Sequence, residues 1–219
     1  MGAHDGSLRI APNALEAGNR HICAFFNGMD EHYRVLRSFI KDGFDREEKA
    51  FHIVDPELRE EHLRRLDEAG IDVEQAMGLG QLEVRLWQEA YLRDDRFDQD
   101  AMLAFMEEQL QSGAAAGFRR IRLVAHMERS LLDKMGVDDL LEYETRLNYV
   151  IPKYDDAVIC TYDLSKFGAS VVVDALRTHP VVLIGGLLQE NPFYVPPDQF
   201  LLEIREQRSA SKATSLSTR

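Results

Sequence analysis

RHICAFFNGMDEHYRVL (residues 20–36) carries an unbroken apolar run, Ile22 to Phe26, that stops at Asn27-Gly28 and passes directly into an amphipathic segment. That pattern is a buried β-strand feeding a helix. In many α/β proteins such a junction cradles a phosphate on the helix N-terminus, so its chemistry decides what kind of α/β protein this is. A phosphate loop needs several glycines, a lysine and a hydroxyl in the pattern GxxxxGK[ST]. Here there is one glycine, Gly28, and no lysine, while Asp30 and Glu31 already place negative charge in the first helical turn. The junction has the architecture of a nucleotide site without its chemistry, and nucleoside-triphosphate hydrolysis is not expected.

Outward from this stretch, short β-branched or aromatic runs alternate with longer amphipathic ones. The strands are expected at 21–26, 50–55, 82–87, 121–127, 157–163 and 181–185. Between them, 29–44 carries Tyr33, Leu36, Phe39 and Ile40 on one helical face, and 55–70 opens with Asp55 as N-cap and Pro56 at the first helical position. Residues 97–117 repeat that logic from Asp98 or Asp100, 131–154 break near Gly136, and 165–180 stop before Pro180. The alternation predicts an α/β fold: an open, mostly parallel sheet with helices on both faces, joined by right-handed crossovers.

The composition fits one such domain. Of 219 residues 45% are hydrophobic and 29% charged, which supports a core. With 26 basic and 38 acidic residues the net charge is −12, so the chain is expected to repel nucleic acid rather than bind it directly. No apolar run approaches the roughly 18 residues of a membrane span and the N-terminus has no charged-then-apolar signal pattern, so a cytoplasmic location is expected. Residues 1–19 and 206–219 are small, polar and aperiodic; they read as a flexible N-terminal segment and a disordered tail flanking a single unit at 20–205. Cys23 and Cys160 lie in apolar strands and read as reduced core thiols, with a bridge left open if the two strands are neighbours.

In open α/β sheets ligands sit outside the carboxyl ends of the strands, at a switch in strand order. Those ends collect Phe26 and Asn27, Asp55, Trp87, His126 with Glu128, and Tyr162 with Asp163. Gly185-Gly186 reads as a close backbone approach, and the loop that follows, carrying Asn191, Phe193 and Tyr194 between prolines, as a lid or wall at the same edge. A metal would need two or three of His126, Glu128, Asp55 and Asp163 to converge, with His126 and Glu128 the first candidates. His21 and His52 read as satisfied core histidines; His4, His32, His62 and His179 read as surface or turn residues. No GxSxG, CxxC or HExxH motif is present, and no motif names a cofactor.

Five strings, HICAFFNGMDEHYRVLRSFIKDGF, KAFHIVD, LVAHME, CTYDLSKFGASVVVDALRTHPVVLIGG and ENPFYVPP, together resemble the MEDS domain, a methanogen/methylotroph sensory domain, over residues 20–203. The resemblance implies a RecA/KaiC-like three-layer core lacking a working phosphate loop, and sensing of small organic molecules such as hydrocarbon derivatives or one-carbon compounds. Such domains are attached to signalling modules, including histidine-kinase-like and DNA-binding ones. No helix-turn-helix head or kinase domain is expected within these 219 residues, and output through a signalling protein partner or through homo-oligomerisation is expected. The resulting expectation is a non-catalytic sensory domain taking a small organic ligand at Phe26, Asn27, Asp55, Trp87, His126, Glu128, Tyr162, Asp163 and Tyr194. The alternatives are a metal-assisted enzyme built on His126 and nearby carboxylates, and a pure interaction module.

Overall fold

The computed structural model describes residues 8–11, 20–93 and 96–217. The strands are β1 (Arg9–Ile10), β2 (His21–Phe26), β3 (Lys49–Val54), β4 (Leu82–Leu86), β5 (Leu92–Arg93), β6 (Arg96–Phe97), β7 (Ile121–Met127), β8 (Ala157–Asp163), β9 (Val181–Ile184) and β10 (Leu187–Glu190). The α-helices are α1 (Met29–Asp45), α2 (Arg59–Glu68), α3 (Val73–Gly78), α4 (Trp87–Tyr91), α5 (Gln99–Ala115), α6 (Arg129–Met135), α7 (Val137–Leu147), α8 (Ala169–Thr178) and α9 (Pro197–Ser217). Eight strands form one sheet in the order β1-β10-β9-β2-β8-β7-β3-β4, and β5 and β6 form a separate two-stranded ribbon. Every pairing in the large sheet is parallel except that of β9 with β10. The fold is therefore α/β with a mostly parallel, mixed sheet.

The two faces of the sheet follow from side-chain alternation. Ile22, Ala24 and Phe26 of β2 join Val35, Leu36, Phe39 and Ile40 of α1, Leu66 of α2 and Ala76 of α3 in one core. Cys23 and Phe25 join Trp87 and Tyr91 of α4, Met102, Met106 and Leu110 of α5, Leu140, Tyr143 and Leu147 of α7, and Ala175 of α8 in the other. Connections leading toward β4 thus run over one face and those leading back toward β9 over the other, as right-handed crossovers require. Adjacent strands whose connections diverge, one leading toward β4 and the other toward β9 on the opposite face, open a crevice at their carboxyl ends, and two such places occur, between β2 and β8 and between β3 and β7.

Local signals hold at the helix ends. Asp55 Oδ1 caps a short 3-10 turn, Pro56–Leu58, by accepting from the Glu57 amide, and Asp98 caps α5 through the Ala101 amide. Gly136, with φ of 83°, separates α6 from α7. Cys23 and Cys160 are register neighbours on β2 and β8, and both are free and buried.

Three expectations are corrected. Gly185 and Gly186, read as a close backbone approach, have φ of 57° and 74° and form the two-residue turn between β9 and β10. Positive φ at both positions matches the right-handed twist of the hairpin. In the N-terminal segment Arg9–Ile10 is a strand paired with β10, while the remainder of that segment, 1–7 and 12–19, lies outside the described residues. The supposed disordered tail continues α9 as far as Ser217, residues 218–219 lying outside the described set. Free of Gly and Pro after Pro197, that helix is held by Arg208, which pairs with Asp139 and Glu142 of α7.

Candidate functional site

The β2–α1 junction is filled by the chain's own carboxylates. The Asn27 amide donates to Glu31 Oε2 at 2.7 Å and the Gly28 amide to Asp163 Oδ1 at 3.2 Å. Gly28 adopts φ of 90°, which lets the chain enter the helix at this angle. The same Asp163 oxygen accepts from the amide and hydroxyl of Ser165. At the second switch Asp55 Oδ2 accepts from the indole Nε1 of Trp87 at 3.0 Å, and Glu128 is ion-paired to Lys166 at 2.7 Å. Burial raises the pKa of Glu128; Lys166 opposes that shift, and the charges of Asp55 and Asp163 add to it. Asn27, Asp55, Trp87, Glu128 and Asp163 thus line the carboxyl edge.

Beneath this edge, on the face covered by α1 and α2, lies a row of histidines. His126 of β7, His52 of β3, His32 of α1 and His62 of α2 are all buried, at 0–4% exposure. The Tyr33 hydroxyl meets His62 Nδ1 at 2.7 Å, and His62 Nε2 meets His52 Nδ1 at 2.8 Å. With Tyr33 donating, His62 carries its hydrogen on Nε2 and passes it to His52, a relay that needs no net charge. His32 stacks between Phe26 at 5.0 Å and His126 at 4.6 Å, and His126 meets His62 edge-on at 5.3 Å. Burial holds all four rings neutral, depressing His32 to about 3, His52 to about 4 and both His62 and His126 well below the usual range. The Nε2 atoms of His32 and His126 are buried without a hydrogen-bond partner. At its outer end Tyr33 borders a cleft of about 260 Å³ with Asp30, Arg34, Arg37, Arg65 and Glu68.

The nine residues expected at the site are therefore divided. Phe26 and His126 belong to the histidine row, and Asn27, Asp55, Trp87, Glu128 and Asp163 to the edge above it. Tyr162 does not join them: paired in register with Phe25, it faces the opposite layer and packs against Phe25 and Phe167. Tyr194 lies at the other end of the sheet. The Gly185-Gly186 turn reverses the chain, so the loop after β10 returns to the amino ends of the strands, where Asn191 binds the carbonyls of Leu176 and His179 and the Val195 amide binds Arg177. His126 and Glu128, the expected metal pair, have different neighbours: Glu128 engages Lys166, while the His126 ring lies against that of His32.

His32, His62 and His179, read as surface or turn residues, are 0–4% exposed; His4 lies outside the described residues. Helical spacing carries the missed signal. His32 precedes Leu36 by four and Phe39 by seven, and His62 precedes Leu66 by four, which places both on apolar faces.

Among the described residues no helix is long and apolar enough to cross a membrane. Residues 20–180 match the family described as MEDS, the methanogen/methylotroph, DcmR sensory domain. The chain is 24% identical over 160 residues to the transcriptional repressor DcmR of Methylorubrum extorquens, a similarity covering 73% of this chain and 57% of the repressor. It thus spans little more than half the length of that relative.

Proposed function

The chain belongs to the MEDS family of sensory domains, and on that premise we propose that it is a non-catalytic sensor of a small organic molecule. The ligand, a short hydrocarbon derivative or one-carbon compound, binds at the carboxyl edge against Phe26 and the polar groups Asn27, Asp55, His126, Glu128 and Asp163, with Trp87 as an apolar wall. The observation that carries this reading is the pair of buried, unpartnered Nε2 atoms on His32 and His126 beside Phe26. A buried polar atom without a partner costs about 1–3 kcal/mol, which a ligand with one donor or acceptor recovers. Most small-molecule sites combine apolar walls with a few such groups. Neutral imidazoles suit an uncharged ligand.

The Tyr33–His62–His52 relay runs from this row to the outer side of α1 and α2, and a ligand that reorients one imidazole changes the hydrogen-bond sense along it. A signalling protein docked there would read the change, in keeping with a role in transcription regulation of the kind named for the repressor relative. The charge of −12 favours output through such a protein, in the cytoplasm, over direct contact with DNA. The mixed sheet with its switch beside β2, and the anionic filling of the β2–α1 junction, support descent from a RecA/KaiC-like core that has lost its phosphate loop. Homo-oligomerisation is a second route for the output.

A thermal-shift screen of one-carbon and short hydrocarbon derivatives tests the proposal. At least one compound raises the melting temperature of the wild type and leaves His126→Ala unmoved; a screen in which none does so speaks against a small-molecule sensor. The metal-assisted enzyme is less well supported, because Glu128, Asp55 and Asp163 are engaged by Lys166, Trp87 and backbone amides.

A further inference from the structure

On the opposite face of the sheet a second buried cluster joins His21 of β2, Cys160 of β8, Glu144 of α7 and His179, just after α8. Their ligand-type atoms all lie within 4.8 Å of one another, and all four residues are 0–1% exposed. Glu144 Oε2 lies 3.1 Å from His21 Nε2, 3.3 Å from His179 Nε2 and 3.4 Å from Cys160 Sγ; Sγ and His21 Nε2 are 3.8 Å apart. Zinc bonds of about 2.0–2.3 Å to N, O and S in a tetrahedron give donor-to-donor edges of roughly 3.3–3.6 Å. The four edges given above, 3.1–3.8 Å, bracket those lengths, and no donor atom lies more than 4.8 Å from another.

The surroundings fix how the imidazoles are used. Asn148 Nδ2 donates to the carbonyls of Glu144, Thr145 and Thr178, so Asn148 Oδ1 is left to accept, and it takes the Nδ1–H of His21 at 3.1 Å. His179 Nδ1 faces the Ala175 carbonyl at 2.8 Å and the Thr178 hydroxyl oxygen, whose own hydrogen is spent on Ala175. Both rings therefore carry hydrogen on Nδ1 and turn the lone pairs of Nε2 toward a carboxylate. His179 Nε2 and Glu144 Oε1 are buried without a hydrogen-bond partner. A cation held against Glu144 Oε2 would meet the Nε2 lone pairs of both His21 and His179. Two protons would place two imidazolium rings with their centroids 4.0 Å apart, which like-charge repulsion opposes; one divalent ion meets both lone pairs at once.

We propose that His21, Glu144, Cys160 and His179 form a closed tetrahedral zinc site that staples α7 and the end of α8 to the sheet. Binding breaks the Cys160 S–H bond, forms a Zn–S bond and releases the proton to solvent. The assembled site is neutral: two positive charges from the ion against one carboxylate and one thiolate, with two neutral imidazoles. A neutral centre suits full burial, and four protein donors leave no open position, as in structural rather than catalytic zinc. Asn148 and the Ala175 carbonyl supply the outer contacts that such histidines use.

The full chain, purified without chelator under reducing conditions, is assayed for zinc by mass spectrometry, then stripped and reloaded with Co2+ alone as a spectroscopic probe. About one zinc per chain is expected, and Co2+ gives tetrahedral d–d bands with a thiolate-to-cobalt charge-transfer band. Cys160→Ser removes the charge-transfer band; Cys23→Ser, its neighbour in the ladder, keeps it. Asn148→Ala weakens Co2+ binding by about 10–100-fold. Should Cys160→Ser fail to fold, His179→Gln and the wild-type spectrum decide. A folded, reduced wild type that neither carries zinc nor gives tetrahedral bands overturns the site, as does a charge-transfer band that survives in Cys160→Ser.

Discussion

The phenol of Tyr33 on α1 and Nδ1 of His62 on α2 stand 2.7 Å apart, and the other nitrogen of His62 reaches His52 on β3. Two helices and the sheet are thereby linked by hydrogen bonds through an otherwise apolar layer. Tyr33→Phe keeps the ring and strands His62 Nδ1 without its donor. The expected loss is about 1–3 kcal/mol of unfolding free energy, read as a lower urea midpoint at unchanged slope. A variant as stable as the wild type would show that the contact contributes nothing.

Acid should destabilise the protein earlier than carboxylate titration would. In the folded chain burial depresses His32 to about 3 and His52 to about 4, against an ordinary histidine value of 6.5. Between these limits the unfolded chain binds more protons, so stability is complete above pH 6.5 and falls as pH drops toward 4 and 3. Each such histidine contributes a slope of up to about 1.4 kcal/mol per pH unit. Urea melts from pH 7.5 to pH 5 should show this decline, and His52→Gln should flatten it. A flat wild-type profile over that range would contradict the neutral row.

Gly113 on α5 faces Ile121 of β7, and a Cβ built there would lie 2.5 Å from Ile121 Cγ1. Alanine gains about 1 kcal/mol of helix propensity over glycine but forces an overpacked core, typically at a cost of about 1–3 kcal/mol. The clash wins, and Gly113→Ala is expected to lower the melting temperature.

At the hairpin, Gly185 has φ of 57° with open space around its Cβ position. Gly185→Asn is expected to leave stability within about 0.5 kcal/mol, since asparagine tolerates this conformation in two-residue turns. Gly185→Val, a β-branched residue in the same conformation, should lose about 1–2 kcal/mol. Equal stability of the two variants would argue against the turn assignment.

How far these features were legible in the residues depended on whether their signal was local. Runs such as Ile121–Met127 and Ala157–Asp163 are buried on both faces and announce themselves as parallel strands. The caps at Asp55 and Asp98 and the break at Gly136 are short-range devices and could be read directly. Leu187–Glu190 was missed because Gly-Gly was weighed as an approach to a ligand instead of a hairpin turn. That one misreading carried Tyr194 to the wrong edge, since a reversed strand delivers its loop to the opposite end of the sheet. Tyr162 was misplaced because alternation assigns it a layer only once its register with Phe25 is known. His21 and His52 were rightly read as buried, but His32, His62 and His179 were misjudged by residue type: His32 and His62 sit on apolar helical faces, but only the tertiary fold brings them to His52 and His126, and no linear spacing links His21, Glu144, Cys160 and His179.

The sensor reading is tested most directly by imidazole nitrogen resonances in long-range 1H–15N spectra of the labelled chain, recorded before and after adding a mixture of one-carbon and short hydrocarbon derivatives. The account predicts that His32 and His126 shift while His21 and His179, on the far face of the sheet, stay in place. Imidazole signals that are unchanged throughout, or that move only at His21 and His179, would contradict it.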